Sequence, residues 1–136
     1  MPSKSALGLD ENIAALLCYV NICLPIGLVV SILVIVQDKT NKLPRFHAFQ
    51  SLLLGVLGVV IGIVLSVFYF IAILVDSIIA SATGLPIPIL FLLVALVGGV
   101  ICIGLFIMLI LAAVKAYGGQ IYKIPIIGGF ADKFSG

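Results

Sequence analysis

From Leu52 to Val75 the chain runs without a single charged side chain. A stretch of that length and composition has very few folded destinations. As an α-helix it would measure about 36 Å, enough to cross a hydrocarbon core of about 30 Å with some tilt. Inside lipid every backbone N–H and C=O needs a partner within the protein, and an apolar run of this length satisfies that demand as a helix. A second run, from about Ile89 to Val114, is equally free of charge and follows Leu85-Pro86-Ile87-Pro88. A third, Ile13–Val36, comes first in the chain. Composition agrees. Hydrophobic residues make up 64% of the 136 and charged residues 9%, against roughly 25% charged in an ordinary soluble domain. Such a chain cannot cover itself with polar side chains.

The expected fold is therefore an all-α integral membrane protein in one transmembrane helical domain over residues 1–136, with 1–10 and 117–136 as interfacial or flexible ends. The long segments are 13–36, 52–75 and 89–114. The first leads into a charged loop and has no small-residue cleavage site, so it is expected to stay as an anchor. It also carries Asn21, Pro25 and Gly27, and a proline inside a helix removes a hydrogen bond and clashes with the preceding turn. Two outcomes stay open: one kinked span, or a break near Asn21–Pro25 into two half-length helices, giving four helices in all.

Charge gives an orientation. Lys39, Lys42 and Arg45 lie between the first two runs, Lys115, Lys123 and Lys133 follow the third, and the segment between the second and third holds Asp76 with no Lys or Arg. Loops rich in Lys and Arg stay cytoplasmic. This predicts a multi-pass protein of the cytoplasmic (plasma) membrane, with the 37–46 loop and the C-terminus inside. A kinked span would place the N-terminus outside and a re-entrant hairpin inside; gathering the basic residues on one side favours the hairpin.

Small residues supply candidate packing positions. Gly58, Gly62 and Ser66 stand four apart in the second run, and Ala95, Gly98, Gly99 and Cys102 form a stripe in the third. Small residues at this spacing let helix backbones approach closely, which joins helices in lipid. Either the two helices pack within one chain or two copies associate. Asp76, at the end of the second run, reads as a polar end-cap.

Pro44-Arg45-Phe46-His47-Ala48-Phe49-Gln50 opens the second helix, where proline suits the first turn. Arg45, His47 and Gln50 are a candidate polar cluster, with Gln50 turned inward toward Asn12 or Asn21. The competing reading is an interfacial collar of aromatic rings at headgroup depth with Arg45 near lipid phosphates. The tail from Ala116 to Phe130 mixes tyrosine, lysine and aliphatic residues as an interfacial segment does. Cys18, Cys23 and Cys102 sit in apolar runs without a Cys-x-x-Cys pair and read as small hydrophobes. There is no phosphate loop, no Ser/His/Asp arrangement and no pair of carboxylates placed for acid–base work. No catalytic, cofactor or metal residue is expected, and no nucleic-acid binding from a net charge of +2.

Three stretches together carry a resemblance: Glu11–Leu17, Arg45–Leu53 with its Arg-Phe-His-Ala-x-Gln, and the tail from Ala113 to Ala131 with Tyr-Lys-Ile-Pro-Ile-Ile-Gly. They resemble a domain-of-unknown-function family of small prokaryotic membrane proteins. That family is similar to the twenty-kilodalton subunit of the chloroplast inner-envelope protein translocon, and some magnetosome-membrane proteins look related to it. The resemblance implies four helices and a non-enzymatic role organising or assisting a membrane complex such as protein translocation. It brings no catalytic residues. The chain lacks the plastid protein's length and transit peptide, which points to a prokaryotic membrane. The alternative is a small oligomeric channel or transporter; ionisable residues usually mark an ion path, and runs two and three contain none. Expected partners are the lipid bilayer, membrane proteins or a second copy.

Overall fold

The computed structural model describes residues 3–20 and 26–136. Five helices follow one another among them: α1 (Glu11–Leu17), α2 (Ile26–Gln37), α3 (Lys42–Thr83), α4 (Ile89–Tyr117) and α5 (Ile127–Ser135). There is no strand among these residues, only an isolated antiparallel bridge between Lys4 and Asp10.

Two helices, α3 and α4, are long and apolar enough to cross a membrane, not three. The first hydrophobic run fails because it is divided. At 1.5 Å per residue, α1 measures about 10 Å and α2 about 18 Å, both short of a bilayer core. Asn21, Cys23 and Pro25 lie outside the described residues. At the start of α2, Gly27 N–H bonds the Val20 carbonyl at 2.8 Å. The two ends of the run return to one place. Ala6 N–H donates to Asp38 at 3.0 Å and the Asn41 amide to the Ser3 hydroxyl at 2.8 Å. Residues 3–6 and the 38–41 loop therefore lie on the same side, as the hairpin arrangement requires.

α3 starts ten residues before the apolar run. Asp38 accepts from Asn41 N–H and the Asn41 side chain from Leu43 N–H, while Pro44 sits in the first turn, where its missing N–H costs nothing. The helix also continues beyond Val75. Asp76 is a charge but not a helix breaker, and nothing disfavours helix until Gly84-Leu85-Pro86. Gly84 takes the left-handed φ of 72° and closes α3 with its N–H on the Ala80 carbonyl. Asp76 is thus a cap, but for the neighbouring helix: its two carboxylate oxygens accept from Leu90 N–H at 3.2 Å and Phe91 N–H at 2.9 Å. A carboxylate at the positive end of α4 satisfies two of its orphan donors.

The chain divides into two compact units, one of residues 1–56 and 107–136, the other of residues 57–106. In the second, Leu65 and Tyr69 of α3 pack against α4. A methyl group built on Gly98 would lie 3.5 Å from both the Leu65 side chain and the Tyr69 hydroxyl, and the Tyr69 and Phe91 rings stand 5.5 Å apart. Gly58, Gly62 and Ser66 lie on the exposed side of α3, and a side chain built on Gly58, Gly62 or Gly99 meets nothing within 4 Å. Ala95 and Gly99 are half-buried. The small stripe of α3 is therefore not its packing face within the chain. The ridge Leu57, Ile61, Leu65 and Tyr69 repeats with the same spacing one position away and is half-buried, with Leu65 and Tyr69 set against Gly98. Replacing Gly98 with leucine should lower thermal stability in detergent by about 1–3 kcal/mol through overpacking. The double change Gly58→Leu and Gly62→Leu should leave it intact or raise it slightly. The reverse order of effects would return the glycine stripe to the interface.

In the first unit Cys18, Val34 and Ala48 join α1, α2 and α3, with Leu7, Val30 and Ile35 around them. Burial pushes the Cys18 thiol up to about 11, so it is an inert core residue. Cys102 is exposed.

Candidate functional site

The beginning of α3 presents one face to α1 and the tail. Phe46, His47 and Gln50 are fully buried there, with Ala48 beneath. Burying an imidazole and an amide is costly unless each polar atom finds a partner. Here each does. The His47 Nε2 stands 3.0 Å from the Gln120 carbonyl and Nδ1 2.9 Å from the Tyr19 hydroxyl. A carbonyl can only accept, so Nε2 carries the hydrogen, and Nδ1 accepts from Tyr19. The Gln50 amide donates to the Tyr19 oxygen at 2.9 Å and to the Tyr122 carbonyl at 3.0 Å, and its own oxygen accepts from Ile124 N–H at 3.1 Å. Tyr19 is thus both acceptor and donor. Burial raises its pKa above the ordinary phenol range, which keeps its proton in the chain of bonds. Nearby, the Ser51 hydroxyl donates to the Cys18 carbonyl at the end of α1.

The sequence brought Arg45, His47 and Gln50 together as one cluster; the structure joins His47 to Gln50 through Tyr19 and sets Arg45 apart. Arg45 donates to the carbonyls of Ile35 at 3.2 Å, Asp38 at 3.1 Å and Ser135 at 3.4 Å. Its charge thus meets the negative ends of α2 and α5, where last-turn carbonyls lack helical partners. Its guanidinium also stands 5.8 Å from the centre of the Phe49 ring. Gln50 turns inward, but not toward Asn12, which abuts Gly119; Asn21 lies outside the described residues.

Two participants were missed. Tyr19 carried a signal: a hydroxyl within an aliphatic run needs a partner when buried. The main chain of residues 120–124 carried none, because every residue type offers the same carbonyl and N–H.

Chemically this arrangement is closed. Both nitrogens of His47 and both polar atoms of Gln50 are bonded within the chain, leaving neither side chain a free N–H to offer a substrate. Among the described residues no group of three or more His, Cys, Asp or Glu could hold a metal ion.

A sequence model of the magnetosome magnetite crystal formation protein family matches residues 10–131. The chain belongs to this family. The matched span covers Tyr19, His47, Gln50 and the tail carbonyls they hold. A UPF0132 membrane protein of Methanocaldococcus jannaschii is 33% identical over 132 residues, covering 97% of this chain and 94% of the relative. A second UPF0132 membrane protein of that organism is 30% identical, covering 95% and 73%. One from Archaeoglobus fulgidus is 27% identical, covering 92% and 95%. No solved structure matches. With two helices of spanning length and relatives named as membrane proteins, this family member is a small helical membrane protein.

Proposed function

We propose that the chain is a non-enzymatic membrane protein that organises or assists a larger membrane complex. The observation that carries this reading is the closed polar site: its buried imidazole, amide and phenol are spent on one another and on the chain's own backbone. Such a site builds a rigid body rather than turning over a substrate. The family's description concerns magnetite crystal formation; the reading takes from it a role in arranging a membrane, without direct iron ligation. Protein translocation, which the resemblance to the plastid subunit brings, is one complex such a body could serve. The test is cross-linking in native membranes before detergent extraction. Reproducible adducts with other membrane proteins are expected, and recovery of the chain alone would sink the role.

The proposed orientation puts the 37–46 loop and the C-terminal residues in the cytoplasm. All seven Lys and Arg fall in the unit formed by residues 1–56 and 107–136, and basic segments stay inside. With the native cysteines replaced, a cysteine at Thr40 should be shielded from an impermeant thiol reagent in intact cells and one at Thr83 should react. Both positions are exposed, whereas Ser135 is buried and would be shielded on either side. Labelling at Thr40 with protection at Thr83 would invert the topology.

A further inference from the structure

The helix α5 displays its large apolar side chains on the wrong side for a protein core. Ile126, Phe130 and Phe134 recur every fourth residue, and they are 84%, 52% and 59% exposed. Its opposite side is the one that packs: Ile127, Gly128, Ala131 and Ser135 are buried. The junction into α5 is strained in a way that increases the exposure. Ile126 has φ 70° and ψ −59°, and Ile127 N–H bonds the Pro125 carbonyl at 2.8 Å across it. This is the rare γ-turn of positive φ, held here by a β-branched residue that ordinarily avoids it. A backbone outlier that thrusts an isoleucine into the open is a double cost in water, and such strain persists where the surroundings or a function compensate it.

Charge identifies what would compensate it. Lys133 lies within the exposed stripe with its ammonium 6.0 Å from the centre of the Phe130 ring. Asp132 is paired with Lys123 at 2.7 Å and with Lys42 at 3.5 Å. The hydrogen bond from Lys123, with both lysine charges, holds its carboxyl below the usual range. Asp132 is thus matched by two lysines and Lys133 adds a third ammonium on the same helix, a net positive edge beside an aromatic stripe. Short helices with aromatic and aliphatic residues on one face and lysines along its border lie in the plane of the membrane interface, and lysines there are drawn to anionic lipids. We propose that α5 is an in-plane anchor whose Ile126, Phe130 and Phe134 enter the headgroup region of an acidic leaflet. The exposed ring of Phe134 stands 6.0 Å from Phe49 in the third turn of α3, which places the stripe beside the entry of a membrane-crossing helix. This inference does not depend on the organising role.

The chain contains no tryptophan, so one introduced residue reports alone. The full chain carrying Phe130→Trp is reconstituted at one copy per nanodisc, in phosphatidylcholine or in phosphatidylcholine with phosphatidylglycerol. Lipids brominated at shallow or deep acyl positions serve as quenchers, and Thr40→Trp is the exposed control. The expected result is blue-shifted emission from Phe130→Trp, quenched more by shallow than by deep bromine. Quenching should be stronger with phosphatidylglycerol and weakened by adding Lys133→Gln, while Thr40→Trp stays red and unquenched. Red, unquenched emission from Phe130→Trp in both lipids overturns the anchor. Blue emission without quenching assigns the stripe to a protein contact and overturns it equally. Equal quenching in the two lipids overturns the acidic leaflet as its partner. Gly129→Trp, at an exposed position with open space around it, repeats the measurement should Phe130→Trp fail to fold.

Discussion

Replacing Gln50 with leucine should be among the most damaging conservative-sized changes in this protein. The side chain fits the same volume, but the Tyr122 carbonyl and the Ile124 N–H lose their partner in a buried setting. A buried polar group left unpaired costs about 1–3 kcal/mol, so the pair together should remove several kcal/mol from a fold that has few to spare. His47→Leu strands the Gln120 carbonyl and the Tyr19 hydroxyl hydrogen in the same way. Tyr19 is bonded to both side chains, so the double mutant should lose less than the sum of the singles. Unfolding titrations in mixed micelles would give all four corners of that cycle. Near-zero and additive effects would mean that the residues sit in a wet headgroup collar rather than a closed network.

Gly128→Ala should be nearly as harmful for a different reason. A methyl group there would lie 2.6 Å from the Lys123 α-carbon and 2.8 Å from its carbonyl carbon. Those are main-chain atoms held by the neighbouring Ile124 bond to Gln50, so they cannot swing aside. Overpacking against fixed atoms costs about 1–3 kcal/mol or more. The expected result is a lower melting temperature together with faster tryptic cleavage at Lys123 as α5 lifts away. Gly129→Ala, one residue along in the same helix but facing open space, should be neutral or gain about 0.5–1 kcal/mol from reduced chain entropy. Equal behaviour of the two variants would show that the Lys123–Gly128 approach does not hold α5.

The two long helices were legible because lipid leaves an uncharged apolar run little choice but helix. Their ends were not, since Val75 and Leu52 mark where polarity changes whereas Gly84 and Asn41 mark where backbone geometry changes. The first run shows the same limit. Pro25 announced a break and lies outside the described residues, but whether each half could cross alone depended on helix lengths, and α1 ends already at Leu17 while α2 runs only from Ile26 to Gln37. Gly58 and Gly62 show a similar limit within the chain, because a four-residue period fixes a stripe and not its direction. Leu65 and Tyr69, one position away with the same period, take the contact with Gly98. At the polar site, His47 and Gln50 could be singled out as polar groups near an apolar entry. Arg45 looked equivalent in sequence, yet neighbouring helical positions point about 100° apart, and it serves helix ends instead. The resemblance carried by Glu11–Leu17, Arg45–Leu53 and Ala113–Ala131 ran to small prokaryotic membrane proteins with plastid and magnetosome relatives, and the family match falls on the magnetosome group.

The bonds from His47 and Gln50 to residues 120, 122 and 124 also impose a schedule on biogenesis. Those three residues are synthesised more than seventy positions after the side chains that hold them. Until α3 and α4 have been inserted and the chain has returned, His47 and Gln50 have no tail to grip, and of their bonds only those to Tyr19 can form. A later segment thus locks an earlier one. A ribosome stalled before Gln120 would therefore hold an inserted but unlatched protein, in which Tyr19 already bonds to α3 while the bonds to residues 120, 122 and 124 are still to be made.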